Sequence, residues 1–360
     1  LYRAAPPASA GVGDALDAPA CGSDRAAMTD PLALHRSLLT LDSHIDIPWP
    51  GGPPFAAETH RRVDLPKMRR GHLVAGCFAA YVPQGRRTNE GHESAFARAV
   101  AMLQAIRNMA GGEAQLCVRA ADVAAAWRAG GTAVVPAVEN GYVVGSDPAR
   151  LRALAEHGAR YLTLTHNGHN ALADSAIPRP ELGDAAEEHG GLSALGRAVI
   201  AEMNALGMLV DVSHASKAAM LAAVAGSRTP VVASHSCVHA LCPHPRNLDD
   251  AQLDALAQVG GVVQITAVPQ FLRSGGKPET VGVADFADHV EYAVRRIGLE
   301  HVGISSDFDG GGGIRDWRDA AESPTITAEL VRRGFDAGAL AALWGGNFLR
   351  LLAVAEQGAA

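Results

Sequence analysis

The sequence has few of the residues that mark membrane, nucleic-acid-binding or disulfide-stabilised proteins. Its 360 residues are only 5% aromatic, and lysine occurs only as Lys67, Lys217 and Lys277, so arginine carries most of the basic charge. The basic residues form no run and the formal net charge is -7, so we expect neither nucleic acid nor an anionic membrane surface as a partner. We also find no apolar stretch of the length expected for a membrane-spanning helix.

Cysteine is scarce and shows no pattern. The cysteines are odd in number and have no CxxC spacing; they are Cys21, Cys77, Cys117, Cys237 and Cys242. A disulfide framework or a structural zinc knuckle is therefore not expected, and we predict buried free thiols.

The chain is expected to divide into a flexible N-terminal extension, residues 1–30, and a single catalytic domain, residues 31–360. The extension is rich in Ala, Pro and Gly, and it lacks the basic start and continuous apolar segment of a signal peptide. Because the chain begins with Leu1, export by an already removed signal stays open.

Short apolar runs alternate with helical patterns along the domain. Most runs are nearly continuous in β-branched or small apolar residues, as is typical of parallel strands buried on both faces. The runs are residues 38–46, 72–82, 132–139, 159–166, 207–214, 230–236, 260–268 and 301–310. Helical patterns cover 95–110, 120–130, 191–207 and 249–260. This alternation predicts a (β/α)8 barrel, with an open doubly wound sheet as the alternative.

Metal-binding residue types stand at the carboxyl ends of six of these runs. They are His44 with Asp46, Glu139, His166, His214, His235 and Asp307. A single His or Asp after a strand is more often a cap or a solvated loop residue, but six such ends are improbable as independent accidents. Since a barrel assembles its active site at this face, we expect the residues to converge.

The residue types predict two metal ions. His44 and Asp46 are two residues apart on a strand, so their side chains point the same way and can reach one ion. His214 and His235, on neighbouring strands, would hold a second. Imidazole and carboxylate together suit zinc, although manganese, iron or cobalt would also fit. Glu139 is the candidate for the bridging ligand, because the fourth strand has no lysine to carboxylate.

Two further residues complete the expected chemistry. Two zinc ions would generate a bridging hydroxide near neutral pH, and Asp307 would take its proton and pass it to the leaving amine. His166 is expected to donate a hydrogen bond to the oxyanion, with a role as third ligand to one metal as the alternative. The chain has neither GxSxG nor HExxH, so serine-hydrolase and zincin chemistry are not expected.

The segments around these residues resemble the membrane (renal) dipeptidase family, peptidase family M19 of the amidohydrolase superfamily. The resemblance extends from Leu38 to Leu352. It is carried, in order, by LDSHIDIP, VDLPKMRRGHLVAGCFAAYVP, PAVENG, YLTLTHN, LVDVSHAS, VVASHS, HPRNLDD, HVGISSDFDG and WGGNFLR.

The resemblance implies a dipeptidase with two Zn²⁺ ions per subunit. It gives the same roles to the five ligand candidates, to His166 and to Asp307. It also implies that Arg246 holds the terminal carboxylate of the substrate, and that the protein is a homodimer. Members often have Gly-Gly after the bridging glutamate, whereas this chain has Asn140 first; Asn140 either lines the substrate pocket or sits in a turn.

The C-terminal AVAEQGAA lacks the hydrophobic segment of a lipid-anchor signal, so we expect a soluble, cytoplasmic and bacterial enzyme without a membrane anchor. The expected reaction is hydrolysis of a small dipeptide. The alternatives are a related amidohydrolase that acts on a non-peptide amide or lactam, and a binding protein that has lost catalysis.

Overall fold

Parallel strands close into a barrel in the computed structural model, which describes residues 30–47 and 50–359. The predicted extension therefore lies almost wholly outside the described residues, as does Cys21. Asp30, the first described residue, caps the first helix by accepting a hydrogen bond from the backbone N–H of Leu32.

Each of the eight predicted apolar runs contains a barrel strand. The strands are β1 (Leu41–Asp46), β2 (Ala75–Tyr81), β3 (Ala114–Leu116), β4 (Thr132–Glu139), β5 (Tyr161–Thr163), β6 (Leu209–Asp211), β7 (Val232–Ser236), β8 (Val262–Ile265) and β9 (Val302–Ile304). They pair in the order β1-β2-β4-β5-β6-β7-β8-β9, while the short β3, which was not predicted, pairs only with β4. All of these pairings are parallel.

The barrel closes just beyond β9, where Phe308 forms a parallel bridge with Ile45 of β1. The backbone N–H of Asp46 donates to the carbonyl of Phe308 at 3.0 Å, and that of Asp307 donates to the carbonyl of His44 at 3.1 Å. The barrel is thus confirmed and the open doubly wound sheet is wrong. Closure also brings the two segments that carry His44, Asp46 and Asp307 side by side.

Helices connect the strands. Their bounds are α1 (Pro31–Ser37), α2 (Leu65–Arg70), α3 (Asn89–Arg107), α4 (Ala120–Arg128), α5 (Ala149–Glu156), α6 (Ala194–Ala205), α7 (Lys217–Gly226), α8 (Asp250–Gln258), α9 (Pro269–Leu272), α10 (Val283–Ile297), α11 (Pro324–Arg332), α12 (Ala337–Ala341) and α13 (Asn347–Gln357). The four predicted helices are α3, α4, α6 and α8. Helix α3 begins earlier than predicted because Thr88 caps it. Gly207 follows α6 with φ 67°, as expected of a residue that ends a helix.

The lower half of the barrel interior is apolar. Leu41, Ala75, Tyr161 and Leu209, from four strands, pack in one cluster with Phe348 of α13, which closes the amino-terminal end. This end of the interior is thus filled by apolar side chains, and the opposite, carboxyl-terminal end is where such a barrel assembles an active site.

One helical stretch, Ala337–Gln357, is long and apolar enough to span a membrane, contrary to the expectation from the sequence. Half of its most apolar window is buried within the protein, and α13 packs against the barrel. Packing of the barrel end accounts for this apolar character. Four cysteines, Cys77, Cys117, Cys237 and Cys242, are free and buried, as predicted.

Candidate metal centre

The carboxyl ends of the strands carry the predicted site residues to one place. Asp46 and Glu139 are the last residues of β1 and β4, and His235 lies near the end of β7. His214 and Asp307 lie in loops beyond their strands, with φ of 64° and 56°. The left-handed backbone is uncommon for residues other than glycine and is concentrated at functional sites.

Glu139 lies at the centre of the cluster, and its two carboxylate oxygens face different histidines. Oε2 is 3.6 Å from Nε2 of His44. Oε1 is 3.1 Å from Nε2 of His214 and 3.4 Å from Nε2 of His235. This arrangement offers one oxygen to each of two neighbouring positions, and it provides the geometry expected of a bridging ligand.

The tautomer of His44 is set by Tyr161. The Tyr161 hydroxyl donates to the carbonyl of Ser43 at 3.0 Å, so it accepts a hydrogen bond from Nδ1–H of His44 at 2.8 Å. The other nitrogen, Nε2, then faces Glu139 and is the nitrogen available to a metal. It is buried and has no hydrogen-bond partner among the described residues.

His235 and His214 are arranged in the same way. Nδ1 of His235 lies 2.8 Å from Oγ of Ser234, and Nδ1 of His214 lies 3.0 Å from Oδ1 of Asn167. Both Nε2 atoms therefore bear lone pairs, and they are only 3.0 Å apart. Two lone pairs at that distance repel each other, so the arrangement fits a pair of ligands to a cation.

Asp46 and Asp307 add two carboxylates around His44. Their Oδ1 atoms lie 3.8 Å and 3.9 Å from its Nε2. Oδ1 of Asp46 is buried and has no hydrogen-bond partner among the described residues. Mixed nitrogen and oxygen donors of this kind suit zinc and other first-row divalent ions, so the residues present fit a metal centre.

The carboxylates also perturb each other electrostatically. Burial raises the pKa of Asp307 to about 7; His44 opposes this shift and Glu139 adds to it. Burial alone would lower the pKa of His44, but Glu139, Asp307 and Asp46 raise it to about 10. The site is thus built to attract positive charge, which a proton on His44 or a metal cation can supply.

Comparison with known proteins decides the family. The family model of the membrane dipeptidases, peptidase family M19, matches residues 28–360. Dipeptidase aclJ of Aspergillus oryzae is 36% identical over 308 residues, which cover 83% of this chain and 71% of that protein. Dipeptidase tcpJ of Claviceps purpurea is 33% identical over 83% of this chain and 70% of its own.

The chain belongs to the membrane dipeptidase family. It is a metallopeptidase, a hydrolase that acts on dipeptides. Among solved structures, it resembles the probable dipeptidase PvdM of Pseudomonas aeruginosa with a TM-score of 0.87 at 28% identity, over 94% of this chain and 100% of that one. It also resembles a metallopeptidase of Rhodobacter sphaeroides bound to a phosphinate mimic of L-Ala-D-Ala, with a TM-score of 0.78 at 25% identity, over 88% and 99% of the two chains.

Arg246 of this dipeptidase is buried next to the metal centre. Its Nη2 donates to the carbonyl of His235 at 3.1 Å, and its guanidinium lies 5.3 Å from the ring centre of Phe271. Its Nε is buried and has no hydrogen-bond partner among the described residues. Burial lowers the pKa of Arg246 to about 10, opposed by Glu139 and Asp307, so the group keeps its charge near neutral pH.

His166 lies at the rim of the centre, on the same side as His214. Their ring centres are 4.2 Å apart, and its Nε2 is 4.0 Å from Oε1 of Glu139. The ring also packs against Tyr81, and burial lowers its pKa. This placement suits both a hydrogen-bond donor to substrate and a third metal ligand, so the two predictions for His166 stay open.

Asn140 has a structural environment. It is fully buried with φ 91°, its Oδ1 accepts from the backbone N–H of Tyr142, and its Nδ2 donates to the carbonyl of Val82 at 3.0 Å and to Gln84 at 3.3 Å. Both ends of its amide are thus engaged by the protein. The geometry favours the turn, and substrate binding by Asn140 stays a prediction.

The sequence analysis missed the residues that support the centre. Tyr161, Ser234 and Asn167 orient the three histidines. Ser234 directly precedes His235, but Tyr161 and Asn167 are distant in sequence from His44 and His214. Gly310, which lies in the glycine run at 310–313 after β9, was missed as well. A Cβ on Gly310 would lie 2.4 Å from Oδ1 of Asp307 and 2.6 Å from Oδ2 of Asp46, so this glycine forms a wall of the site.

Proposed function

We propose that this dipeptidase uses two zinc ions per subunit to hydrolyse the amide bond of small dipeptides. His44 and Asp46 would hold one ion, His214 and His235 the other, and Glu139 would bridge them. The observation that carries the proposal is the arrangement of Glu139, whose two oxygens face different histidines: Oε2 faces Nε2 of His44, and Oε1 faces Nε2 of His214 and of His235.

The ions, when bound, would supply a water molecule ionised near neutral pH. Asp307 would accept the proton of the attacking water at its carboxylate and deliver it to the leaving amine. A pKa raised by burial to about 7 suits both transfers. His166 would donate a hydrogen bond to the oxygen of the attacked carbonyl.

Arg246 would hold the free carboxylate of the dipeptide. Its buried guanidinium has an unused Nε, and it stands beside His235, so a substrate clamped there would have its amide bond near the metal pair. Guanidinium binds carboxylate with paired, charge-assisted hydrogen bonds.

The test compares dipeptides with non-peptide amides. Purified protein loaded with zinc is assayed against L-L, L-D and D-configured dipeptides, the same dipeptides with amidated C-termini, acylated amines and lactams. We expect free dipeptides to be hydrolysed fastest, their C-terminal amides slowly, and acylated amines and lactams not at all. Preferred turnover of acylated amines or lactams would contradict the proposal and favour the alternative amidohydrolase.

Two variants assign the roles. Arg246→Met should lower kcat/KM for free dipeptides about 10- to 100-fold, the value of a lost charge-assisted hydrogen bond, and should leave the slow hydrolysis of dipeptide amides unchanged. His214→Ala should bind one zinc equivalent instead of two by elemental analysis. Two equivalents in His214→Ala would refute its ligand role.

We also propose that the enzyme is a homodimer in the cytoplasm. The family resemblance supports the dimer, and the sequence composition supports the location. Light scattering of the purified protein tests the first, and fractionation of the source cells tests the second. A monomer, or activity in the membrane fraction, would contradict the respective proposal.

A further inference from the structure

A buried carboxylate that the proposed mechanism does not use lies beneath the metal centre. Asp211, the last residue of β6, is fully buried, and it makes no ion pair within the described part of the chain. Its Oδ1 accepts from the backbone N–H groups of Ser213 at 3.0 Å and Ser234 at 2.9 Å. Its Oδ2 accepts from the hydroxyls of Thr163 and Ser234, both at 2.6 Å. These four donors hold the carboxylate in one orientation.

Ser234 connects this carboxylate to a metal-facing histidine. Its single hydroxyl proton is given to Asp211, so the same oxygen acts as acceptor at 2.8 Å from Nδ1 of His235. The proton of the His235 ring therefore lies on Nδ1, and Nε2 faces Glu139 as a lone pair. This series of hydrogen bonds, from the Asp211 carboxylate through the Ser234 hydroxyl to the His235 imidazole, fixes both the tautomer and the direction of the ring.

At the metal position formed by His44 and Asp46, the hydrogen bonds that begin at Nδ1 of the histidine do not lead to a charged group. Nδ1 of His44 donates to Tyr161, and the Tyr161 hydroxyl donates to a neutral carbonyl, that of Ser43. His44 has Asp46 beside it, whereas the described surroundings of His214 and His235 offer no carboxylate besides the shared Glu139. Asp211 therefore supplies negative charge to the metal position formed by His214 and His235, which has fewer carboxylates beside it.

We propose that Asp211 is a positioning residue that acts through Ser234 to hold His235 in its metal-binding tautomer and to strengthen the metal position formed by His214 and His235. This inference rests on the proposed two-metal centre. It adds a residue that touches neither the metal nor the substrate.

Replacing the Asp211 carboxylate by an amide reverses the direction of these hydrogen bonds. In Asp211→Asn the amide oxygen can still accept from the two backbone N–H groups, so the NH₂ group faces the hydroxyls of Thr163 and Ser234. The Ser234 oxygen then accepts from Asn, and its proton turns to Nδ1 of His235. The ring proton moves to Nε2, where it blocks metal binding.

The first test needs no metal. Nitrogen NMR of the full-length, metal-free protein labelled with ¹⁵N-histidine should show His235 protonated at Nδ1 in the wild type and at Nε2 in Asp211→Asn, with the resonance assigned by a His235→Gln sample. An unchanged tautomer in Asp211→Asn would overturn the inference. Because no metal is present, the result does not depend on the proposed function.

The second test measures zinc binding by calorimetry on the chelated full-length protein. We expect two equivalents in the wild type. In Asp211→Asn and in Ser234→Ala, one equivalent should keep its affinity and the other should bind about 10- to 100-fold more weakly, the usual effect of losing a partner of a ligating histidine. If Asp211→Asn does not fold, Ser234→Ala, which leaves the carboxylate in place, decides the question.

Thr163→Val is the matched control, since it removes one donor from Asp211 without touching Ser234 or His235. It should lower the melting temperature but retain two full-affinity zinc equivalents. Equal loss of zinc in Thr163→Val would show a merely structural role and overturn the inference. A wild type that binds one equivalent would overturn the two-metal proposal instead, and the tautomer result would then stand alone.

Discussion

The environment of each histidine decides what it can do in this site. His44, His214 and His235 each have Nδ1 next to an acceptor, and this leaves Nε2 free to meet Glu139. Residue type alone does not specify this, because a histidine with the opposite tautomer would present a proton to a metal. The hydrogen bond on the far side of each ring is therefore as important as the ring itself.

Asp307→Asn tests the proton transfer directly. The amide keeps the size of the side chain, so both metal equivalents should stay bound, but it cannot take a proton from water. We expect kcat to fall about 10²- to 10⁴-fold, the range for loss of a general acid–base group. Elemental analysis checks the metal content, and steady-state kinetics checks kcat. A kcat close to that of the wild type would refute the role of Asp307 in proton transfer.

At the scale of elements, loops beyond the strand ends shape the site. Gly310 follows β9, and the carboxylates of Asp46 and Asp307 occupy the position that a Cβ would take. Helix α1 is anchored by its own residue His35, which is fully buried between α2 and α11. In both cases one residue sets how closely two elements approach.

Gly310→Ala should damage the metal centre. Its Cβ would be forced within 2.4 Å of Oδ1 of Asp307, closer than atoms pack in proteins, and one of the two carboxylates must move. We expect zinc affinity and kcat to fall at least tenfold. Gly226→Ala, at the end of α7 with nothing within 4 Å of the new Cβ, is the matched control and should behave like the wild type. Normal zinc binding in Gly310→Ala would contradict the steric argument.

His35 predicts a pH dependence of stability. Trp344 donates to the hydroxyl of Thr327 at 2.8 Å, so that hydroxyl donates to Nδ1 of His35, while Nε2 of His35 donates to the carbonyl of Gly71 at 2.8 Å. Burial, only partly offset by the hydrogen bond to Gly71, lowers the pKa of His35 from 6.5 to about 4. The unfolded chain therefore takes up the proton first, and stability is lost as the pH falls from about 6.5 toward 4, by up to about 3 kcal/mol.

His35→Gln preserves one donor and one acceptor but does not titrate. Its melting temperature should fall less than that of the wild type between pH 7 and pH 5, measured by calorimetry at both values. His239→Gln, at an exposed position, serves as control and should keep the pH dependence of the wild type. Identical pH dependence in His35→Gln and wild type would rule out His35 as the cause.

At the scale of the whole molecule, closure of the barrel makes the site. β1 and the segment after β9 are at opposite ends of the domain sequence, and their pairing through Ile45 and Phe308 sets Asp46 beside Asp307. The apolar amino-terminal half, closed by Phe348 of α13, supports a carboxyl-terminal half that is rich in buried carboxylates. Such a centre is stable only with compensating positive charge.

Removal of metal should therefore destabilise the whole protein. Zinc at 100 times its dissociation constant contributes about 2.7 kcal/mol by mass action, so chelation should lower the melting temperature by several degrees. Adding zinc back should restore it. Glu139→Gln, which lacks the bridging charge, should respond much less. A wild-type melting temperature indifferent to chelation would contradict a metal-stabilised centre.

The sequence by itself determined the alternation of strands and helices, the barrel, and which side chains stand at the strand ends. Buried parallel strands leave a continuous apolar signal, and a metal-binding residue at the end of that signal, as in His44 or Glu139, is visible without any contact. The ordered motifs around these residues determined the family for the same reason, since they record local chain segments.

Only the tertiary structure decided what lies between distant segments. It placed Tyr161 behind His44, put Gly310 against two carboxylates, and engaged both ends of the Asn140 amide within the protein. It also connected Asp211 through Ser234 to His235. These contacts join residues whose separation in sequence carries no periodic signal, because hydrogen-bond geometry and packing distance exist only after the barrel has closed.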